Sequence, residues 1–304
     1  MNILLTGSTG FVGRAISNKY DIYRHVVRGE NLCNHESTFV VETIDGDTEW
    51  PSDAFNNVDA IIHLAGLAHS ACSSTDDYNN INYKGTLKLA MDAASAGVKR
   101  FVFVSSIGVN GLSTDNVPFS ALSKVRPHND YARSKYLAEL GLMDVSKKTG
   151  LEVVIVRPTL VYGLNAPGNF GRLLNIIKKI SFLPFGLAEN KRSFISVQNL
   201  ADLLVVCASH ENAAGHIFLA SDCEAISIKE FTNAIAEGLG KQVYQLPIPV
   251  TLVKIVGDLV GKRAAVEQLF GNLEVDSSNT LDILGWRPPL TMKQSMSLLR
   301  NVKG

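Results

Sequence analysis

Cysteine is scarce in this chain, and the few cysteines are scattered. Cys33, Cys72, Cys207 and Cys223 are the only four in 304 residues, and no two have the Cys-x-x-Cys spacing or an adjacent run of histidines. The pattern of a zinc site is therefore missing, as is the dense cysteine framework of a small secreted domain. We predict reduced, structural thiols and no metal site.

An excess of charge of one sign is also missing. The 29 basic residues balance the 29 acidic ones, so the formal net charge is zero. No overall field then favours nucleic acid or an anionic membrane, and any recognition of phosphate must come from local arginines. The composition predicts a small-molecule partner and no nucleic-acid partner.

Long hydrophobic runs are absent as well. The N-terminal apolar stretch, residues 3–5, ends in a glycine-rich turn and lacks the pattern of a secretory signal. A second apolar stretch, residues 247–261, is interrupted by two prolines, a lysine and an aspartate, short of the roughly 18–20 residues that a membrane span needs. We predict no integral membrane segment and a cytoplasmic location. For 247–261 burial or an oligomer contact is favoured, membrane association stays open, and so does a homodimer.

What is present is a regular alternation of short β-branched runs with stretches of helical apolar spacing, and 46% of the residues are apolar. This alternation is typical of an α/β, doubly wound parallel sheet covered by helices on both faces. Gly97 and Gly150 stand where helix C-caps belong. The predicted strands are residues 2–6, 25–28, 38–42, 60–65, 100–106 and 153–157, and the predicted crossover helices are 11–19, 76–96 and 131–149.

After Arg157 and Pro158 the alternation loosens, which predicts a smaller second unit. We expect a dinucleotide-binding domain over residues 1–160 and an interleaved substrate lobe over residues 161–304, with later strands returning to the first sheet. The predicted elements of the lobe are helices near 171–180, 197–209, 227–239 and 250–260 and a strand at 193–196.

The sequence TGSTGFVG at residues 6–13 follows an apolar strand and opens a helix. The first glycine permits a tight turn, the second lets backbone N–H groups approach a pyrophosphate, and the third allows the helix to pack closely on the strand. The phosphates would lie at the N-terminus of the helix. A plain strand-to-helix turn is the alternative. The predicted cofactor contacts here are Gly7, Thr9, Gly10, Phe11, Val12 and Gly13.

About twenty positions further on, where an acidic residue would bind the ribose of NAD, the sequence has Arg28. An arginine favours a 2′-phosphate instead, and Arg14 can add a second charge, although both can equally be solvated surface residues. The charge pattern therefore favours NADP(H) slightly over NAD(H).

A Tyr131-x-x-x-Lys135 pair and Ser106, at the end of an apolar strand, form the predicted catalytic group. A lysine one helical turn from a tyrosine is expected to stabilise the phenolate and lower its pKa, so that Tyr131 can exchange a proton with an alcohol or ketone. Lys135 can also bind the nicotinamide ribose, and Ser106 can donate a hydrogen bond to the same substrate oxygen. The alternative is an exposed pair beside an ordinary strand end.

At these residues the sequence resembles the extended short-chain dehydrogenase/reductase family, especially its nucleotide-sugar epimerases, dehydratases and reductases. The likeness covers nearly the whole chain, and its motifs are specific because they occur in order. They are TGSTGFVG, HLAG at 63–66, Asn82 and Gly85 in INYKGT, FVFVSS, YARSK at 131–135, RPTLVYG at 157–163, KRSFISVQNLAD at 191–202 and LGWRPP at 284–289.

The resemblance implies a Rossmann-like sheet with a C-terminal nucleotide-sugar lobe, and a UDP-sugar as substrate. It makes Ser106, Tyr131 and Lys135 the catalytic residues. It also implies that Leu64, Ala65, Gly66 and Pro158 line the cofactor, that Asn169 and Phe170 lie near the sugar nucleotide, and that Arg192 meets its diphosphate.

The sequence departs from the family pattern in places. Ile107 and Gly108 follow Ser106 where dehydratases have an acidic pair, so dehydratase activity is not expected. The acid that contacts adenine corresponds to Thr43 or a displaced Asp45 and is not placed. Two activities at C4 remain: reduction of a UDP-4-keto-6-deoxy-hexosamine for surface-polysaccharide precursors, which Arg28 favours, and UDP-hexose 4-epimerisation.

Three further interpretations concern the class of protein and two histidines. A non-catalytic NADP-sensing regulator shares the fold, but the tyrosine argues against it. His63, at the end of an apolar strand, is expected to be a hydrogen-bonded core residue rather than a base. His69, in the following loop, is a candidate for substrate contact, with solvent exposure as the equal alternative.

Overall fold

Seven parallel strands form the central sheet. The computed structural model describes residues 1–29, 38–68, 74–259, 261 and 263–301. The strands are β1 Ile3–Thr6, β2 Arg24–Arg28, β3 Thr38–Val41, β4 Ala60–His63, β5 Arg100–Val104, β6 Glu152–Pro158, β7 Leu160–Tyr162, β8 Phe182–Leu183, β9 Arg192–Ser196, β10 Ile217–Ala220, β11 Ala225–Ile226 and β12 Tyr244–Gln245. The order in the sheet is β10-β6-β5-β4-β1-β2-β3, and every pairing is parallel. The predicted Rossmann-like α/β sheet is confirmed.

Helices cover both faces of this sheet. Those on the faces include α1 Phe11–Lys19 and α6 Val197–Ser209 on one side and α3 Thr86–Ser95 and α4 Asp130–Thr149 on the other. The remaining helices of the described residues are α2 Thr75–Tyr78, α5 Gly168–Lys179, α7 Ile228–Gly238, α8 Val250–Leu259, α9 Arg263–Phe270, α10 Ser278–Leu284 and α11 Met292–Ser297. The expected glycine after α4 is confirmed, because Gly150 takes the left-handed conformation at φ +80°. Successive residues of a strand point to opposite faces, so Leu5 packs in the core that contains α1 and α6, and Leu4 packs in the core that contains α3 and α4.

The single helix predicted over 76–96 is wrong in one respect. A π-helical segment, Asn79–Gly85, separates α2 from α3. The Asn82 side chain in this segment accepts from the N–H of Leu67 at 2.8 Å and donates to its carbonyl at 3.0 Å. A wider turn at this position lets the helix meet the loop after β4, a contact that apolar spacing does not encode.

The C-terminal half contributes both to the sheet and to a separate core. β10 pairs with β6 at the sheet edge, as expected of a returning strand. A three-stranded sheet, β11-β9-β7, and the pair β12-β8 surround a third core that contains Tyr162, Phe170 and Phe231. The division at residue 160 stays a prediction. Over the described residues, no helix combines the length and the hydropathy needed to cross a membrane.

Candidate active site

The glycine-rich turn joins β1 to α1 along a backbone path that leaves no room for a side chain at its glycines. Gly7 has φ +71°, and the N–H of Gly10 donates to its carbonyl at 3.0 Å. A Cβ on Gly13 would stand 2.2 Å from the carbonyl oxygen of Gly7, and a Cβ on Gly7 would stand 2.9 Å from the backbone nitrogen of Ala65. The turn therefore requires glycine at these positions and lies directly against residues 64–66.

The residues present fit a dinucleotide. The hydroxyl of Ser8, inside the turn, is buried and has no hydrogen-bond partner among the described residues, which suits a site that receives a polar ligand. Gly10 is exposed at the N-terminus of α1, and Thr9, Phe11 and Val12 are partly exposed beside it. Pro158 is buried at the end of β6. The contacts of these residues with a cofactor stay predictions.

A cleft of about 410 Å³ opens beside the turn, lined by Thr9, Arg28, Gly29 and Glu42. Arg28 ends β2 and Glu42 follows β3, whose last residue, Val41, pairs with Arg28 in the sheet. Sequence reasoning identified Arg28 but missed Glu42. The strand register could have predicted Glu42, because residues that follow two paired parallel strands lie side by side.

The Asp45 side chain takes part in a local turn. Its carboxylate accepts from the backbone N–H of Asp47 at 3.0 Å and from the hydroxyl of Thr48 at 3.2 Å, which closes a local turn. Thr43 is exposed after β3.

Ser106, Tyr131 and Lys135 are brought to the carboxyl end of β5 by the packing of α4. The hydroxyls of Ser106 and Tyr131 are hydrogen-bonded to one another. Asn129 caps α4 by accepting from the N–H of Ala132 at 2.8 Å, which places Tyr131 in the first turn and Lys135 in the second. The Lys135 Nζ donates to the carbonyl of Val104 at 3.0 Å. The predicted group is therefore assembled, and its catalytic role stays a prediction.

The prediction that Lys135 lowers the pKa of Tyr131 is wrong when only the groups of the protein itself are considered. Burial raises the pKa of Tyr131 to about 12, although the hydrogen bond from Ser106 opposes the shift. Burial also lowers the pKa of Lys135 to about 8. Sequence spacing predicted the proximity of the two groups but not their desolvation, which disfavours both charged forms. At neutral pH Tyr131 therefore carries its proton.

The pKa of Lys135 makes the stability of the fold depend on pH. Because this pKa is about 8 in the folded protein and 10.5 for an ordinary exposed lysine, the unfolded chain binds more protons between these values, and the free energy of unfolding rises with pH in that window. Below pH 8 the penalty for burying the charge is fully present. We expect Lys135→Met to raise the free energy of unfolding at pH 7 by about 1–2 kcal/mol, with the gain shrinking toward pH 10.

Denaturant unfolding at several pH values measures this gain. The matched control is Lys147→Met, at an exposed position in the last turn of the same helix, which should keep the pH profile of the wild type. A difference between Lys135→Met and wild type that stays constant from pH 7 to pH 10 would contradict the prediction.

His63 is a core residue, as predicted. It is fully buried, with Nδ1 2.7 Å from the Thr6 hydroxyl and Nε2 3.0 Å from the Thr86 hydroxyl. Burial lowers its pKa to about 3, so the ring is neutral at physiological pH. The second histidine of interest, His69, lies outside the described residues.

A buried ion pair holds α4 against the sheet. Arg157 on β6 donates from Nε to Glu139 of α4 at 2.9 Å and from Nη1 to Asn110 at 3.0 Å. The Ser105 hydroxyl donates to the same carboxylate. Because Glu139 lies one helical turn after Lys135 and Ser105 precedes Ser106, this network positions both predicted catalytic elements.

Two further side chains lie at the catalytic group, and sequence reasoning missed them. The ring of Tyr78, at the end of α2, makes an edge contact with Tyr131 at 6.2 Å between centroids. His128 approaches Gly108 so closely that a Cβ there would be 3.2 Å from His128 Cε1 and 3.3 Å from Ser106 Oγ. Neither residue belongs to a local motif, because the contacts arise only when α2 and the segment before α4 pack over β5.

The predicted substrate residues lie in the C-terminal lobe. Arg192 on β9 is 8% exposed, and its Nη1 donates to the carbonyl of Gly271 at 2.8 Å. None of the described carboxylates lies within ion-pair distance of it, and burial lowers its pKa to about 10. A buried cation without a carboxylate partner suits an anionic ligand.

Asn169 and Phe170 differ in what they can offer a ligand. Asn169 is exposed and donates to Gln268 at 3.1 Å. Phe170 is 1% exposed, and its ring packs against Tyr162 and Phe231 in the core of the lobe. That Phe170 lies near the sugar nucleotide stays a prediction, and burial of its apolar ring would leave its backbone for such a contact.

Comparisons with known proteins show the family to which the chain belongs. A model of the NAD dependent epimerase/dehydratase family matches residues 3–220. A UDP-glucose 4-epimerase of Vibrio cholerae is 40% identical over an alignment of 304 residues, which covers 96% of this chain and 92% of that protein.

Two solved structures share the fold. A short-chain dehydrogenase/reductase superfamily protein from Agrobacterium tumefaciens with bound NAD has a TM-score of 0.76 at 20% identity, covering 99% of this chain and 96% of the other. The UDP-glucose 4-epimerase of Thermotoga maritima with UDP-glucose has a TM-score of 0.73 at 20% identity, covering 99% and 97%.

Proposed function

Because the chain belongs to the NAD dependent epimerase/dehydratase family, as its sequence motifs indicated, we propose that it inverts C4 of a UDP-hexose. The observation that carries the choice of 4-epimerase is the 40% identity to the Vibrio cholerae enzyme across nearly the whole of both chains. The sequence alone favoured 4-ketoreduction of a UDP-4-keto-6-deoxy-hexosamine on the strength of Arg28. That activity stays a prediction and is the alternative outcome of the test below.

The side chains at the end of β5 suit proton exchange at one substrate oxygen. Tyr131 carries its proton at neutral pH and can donate it to a 4-keto oxygen or, when deprotonated, accept it from a 4-hydroxyl. Ser106, hydrogen-bonded to Tyr131, can hold the same oxygen in line with the phenol. Lys135 supplies a cation that can hold a ribose hydroxyl and favour the phenolate. Arg192 would bind the diphosphate of the substrate, which fixes the sugar relative to Tyr131.

The turn at residues 6–13, together with residues 64–66, would hold the dinucleotide. A bound nicotinamide supplies reversible hydride transfer at C4 and, when oxidised, a positive charge that lowers the pKa of a neighbouring phenol. Binding of NAD is supported by the family and by the NAD-bound structure that shares the fold. The preference for NADP rests on Arg28, with Arg14 as a candidate second charge, and Glu42 in the same cleft as Arg28 opposes it by repelling a 2′-phosphate.

The decisive experiment compares two substrates. The purified protein is incubated with UDP-glucose and, separately, with a UDP-4-keto-6-deoxy-N-acetylhexosamine and NADPH, while the product sugar and the absorbance of the reduced cofactor are followed. Formation of UDP-galactose without net cofactor turnover is the result we expect. Consumption of NADPH with the ketosugar only, and no UDP-galactose, would show that the protein is a reductase.

Cofactor preference gives a prediction that does not depend on activity. If Arg28 pairs with a 2′-phosphate, Arg28→Asp replaces an attraction by a repulsion, so NADPH should bind at least about tenfold more weakly while NADH binds as well or better. Fluorescence titration of both cofactors, without substrate, measures this. Arg287→Asp is the control, since that arginine is exposed outside the cleft. Equal losses for NADH and NADPH would reject the proposed role of Arg28.

A further inference from the structure

The C-terminal lobe carries an unusual concentration of exposed apolar side chains. Ten of the eighteen large hydrophobic residues that are exposed among the described residues fall within 176–187 and 241–259, which make up about a tenth of the chain. We call the surface formed by these two segments the apolar face. Exposed apolar patches of this kind mark interaction sites.

Helix α8 is apolar on both sides, although only one side is covered. Val250, Val253 and Gly257 face the protein: the two valines pack against the third core, and a Cβ on Gly257 would stand 2.5 Å from Val266. The opposite side carries Leu252, Ile255, Val256 and Leu259, which are 51–81% exposed and recur with helical spacing. The expected burial of this stretch therefore holds for one side only. The polar residues Thr251, Lys254 and Asp258 lie between the two apolar sides, so α8 carries more apolar surface than the protein itself covers.

The two segments are continuous in space. Strands β8 and β12 pair, so Phe182 and Tyr244 lie side by side with their rings stacked at 5.4 Å. Both rings are more than half exposed. Leu246, which donates its N–H to the carbonyl of Leu183 at 2.8 Å, leads into α8 four residues later. The pairing of β8 with β12 therefore joins the two segments, with the exposed rings at their junction and the exposed aliphatic helix a few residues along the chain.

The charges of the apolar face are mainly positive. Its two segments contain Lys178, Lys179, Lys241 and Lys254 against a single acid, Asp258, which lies 3.8 Å from Arg263. Lys241 is tied to the other segment by a hydrogen bond to the carbonyl of Ile177 at 3.3 Å. The chain as a whole is neutral, so this excess of positive charge is local.

We propose that the apolar face docks this protein on an anionic membrane surface. Aliphatic and aromatic side chains would enter the boundary between headgroups and acyl chains, while the lysines meet lipid phosphates. A contact between two copies fits less well, because lysine is depleted in protein interfaces. The proposal does not depend on the reaction that the active site performs.

Co-sedimentation of the full chain with lipid vesicles tests the proposal. We expect binding to vesicles of phosphatidylcholine and phosphatidylglycerol that weakens at high salt and on pure phosphatidylcholine. Ile255→Ser/Leu259→Ser should lower the partition coefficient at least about tenfold by removing two exposed apolar groups. Lys178→Glu/Lys179→Glu should lower it by a similar factor on anionic vesicles only.

The chain offers a matched control for each variant. Met91→Ser/Leu140→Ser removes two exposed apolar residues, one from α3 and one from α4. Lys147→Glu/Lys148→Glu reverses the charge of two lysines in the last turn of α4. These match Lys178 and Lys179, which lie in the last turn of α5. Both controls should bind vesicles like wild type. All four variants should keep their turnover of dissolved UDP-sugar and their unfolding transition.

Three results would overturn the proposal. The first is that the wild-type protein does not bind anionic vesicles, and the second is that the control variants lose as much binding as the test variants. The third is that the wild-type protein binds no vesicles but forms a dimer in sedimentation equilibrium, which Ile255→Ser/Leu259→Ser dissociates. The last would assign the apolar face to a second copy. Because vesicle binding is measured without substrate, its failure is distinguishable from failure of the proposed epimerase activity.

Discussion

Tyr131→Phe is expected to lower turnover by about 10²–10⁴ while leaving the fold and cofactor binding intact. The substitution removes only the hydroxyl that is hydrogen-bonded to Ser106, and the ring keeps its edge contact with Tyr78. Without this hydroxyl, no group at this position can give a proton to the reacting oxygen or take one from it. The measurement is the turnover number on the substrate that the function test identifies, with NADH binding and thermal unfolding as checks of integrity.

Ser106→Ala provides the graded comparison for this loss. It removes one hydrogen bond to the reacting oxygen and no proton path, so its effect should be smaller than that of Tyr131→Phe. The hydroxyl of Ser106 also accepts from the N–H of Gly108 at 3.1 Å, so a small part of the loss will be structural. Near-normal turnover in Tyr131→Phe would remove Tyr131 from the role of acid and base.

Arg192→Ala is expected to weaken binding of the UDP-sugar by about 2–4 kcal/mol, which corresponds to a loss of roughly 30-fold to 1000-fold. The reason is that a buried guanidinium without a carboxylate partner among the described residues can bridge oxygens of two phosphates. The Michaelis constant for the UDP-sugar should rise far more than that for the cofactor. Arg192→Lys should recover only part of the loss, because an ammonium cannot reproduce the planar fork.

Calorimetry with UDP alone isolates this contact from catalysis. Lys191→Ala is the matched control, since the neighbouring residue is exposed and carries the same charge. An unchanged affinity for UDP in Arg192→Ala would mean that the diphosphate binds elsewhere, and the motif at residues 191–202 would then no longer locate the substrate site.

Much of this molecule follows from local sequence. The six strands predicted for the first half form, and α1 spans Phe11–Lys19 as predicted, because hydrophobic periodicity and glycine punctuation act over a few residues. The glycine-rich turn is equally local: each of its glycines stands where a Cβ would contact backbone within 3.2 Å. The ion pair between Glu139 and Arg157 and the partners of His63 join residues that are far apart in the chain, and no local pattern predicts them.

The sequence by itself determined the doubly wound sheet, the glycine-rich turn at its first strand, and the identities of Ser106, Tyr131 and Lys135, because these depend on side-chain type and short-range spacing. Tertiary structure alone decided the π-helical segment before α3, the place of Glu42 beside Arg28, the burial of the Phe170 ring, and the exposure of one side of α8. It also reversed the expected pKa shift of Tyr131. The physical reason is that desolvation and side-chain contacts depend on which elements pack together. Packing joins residues that are distant in the sequence, and no local pattern of residues marks such pairs.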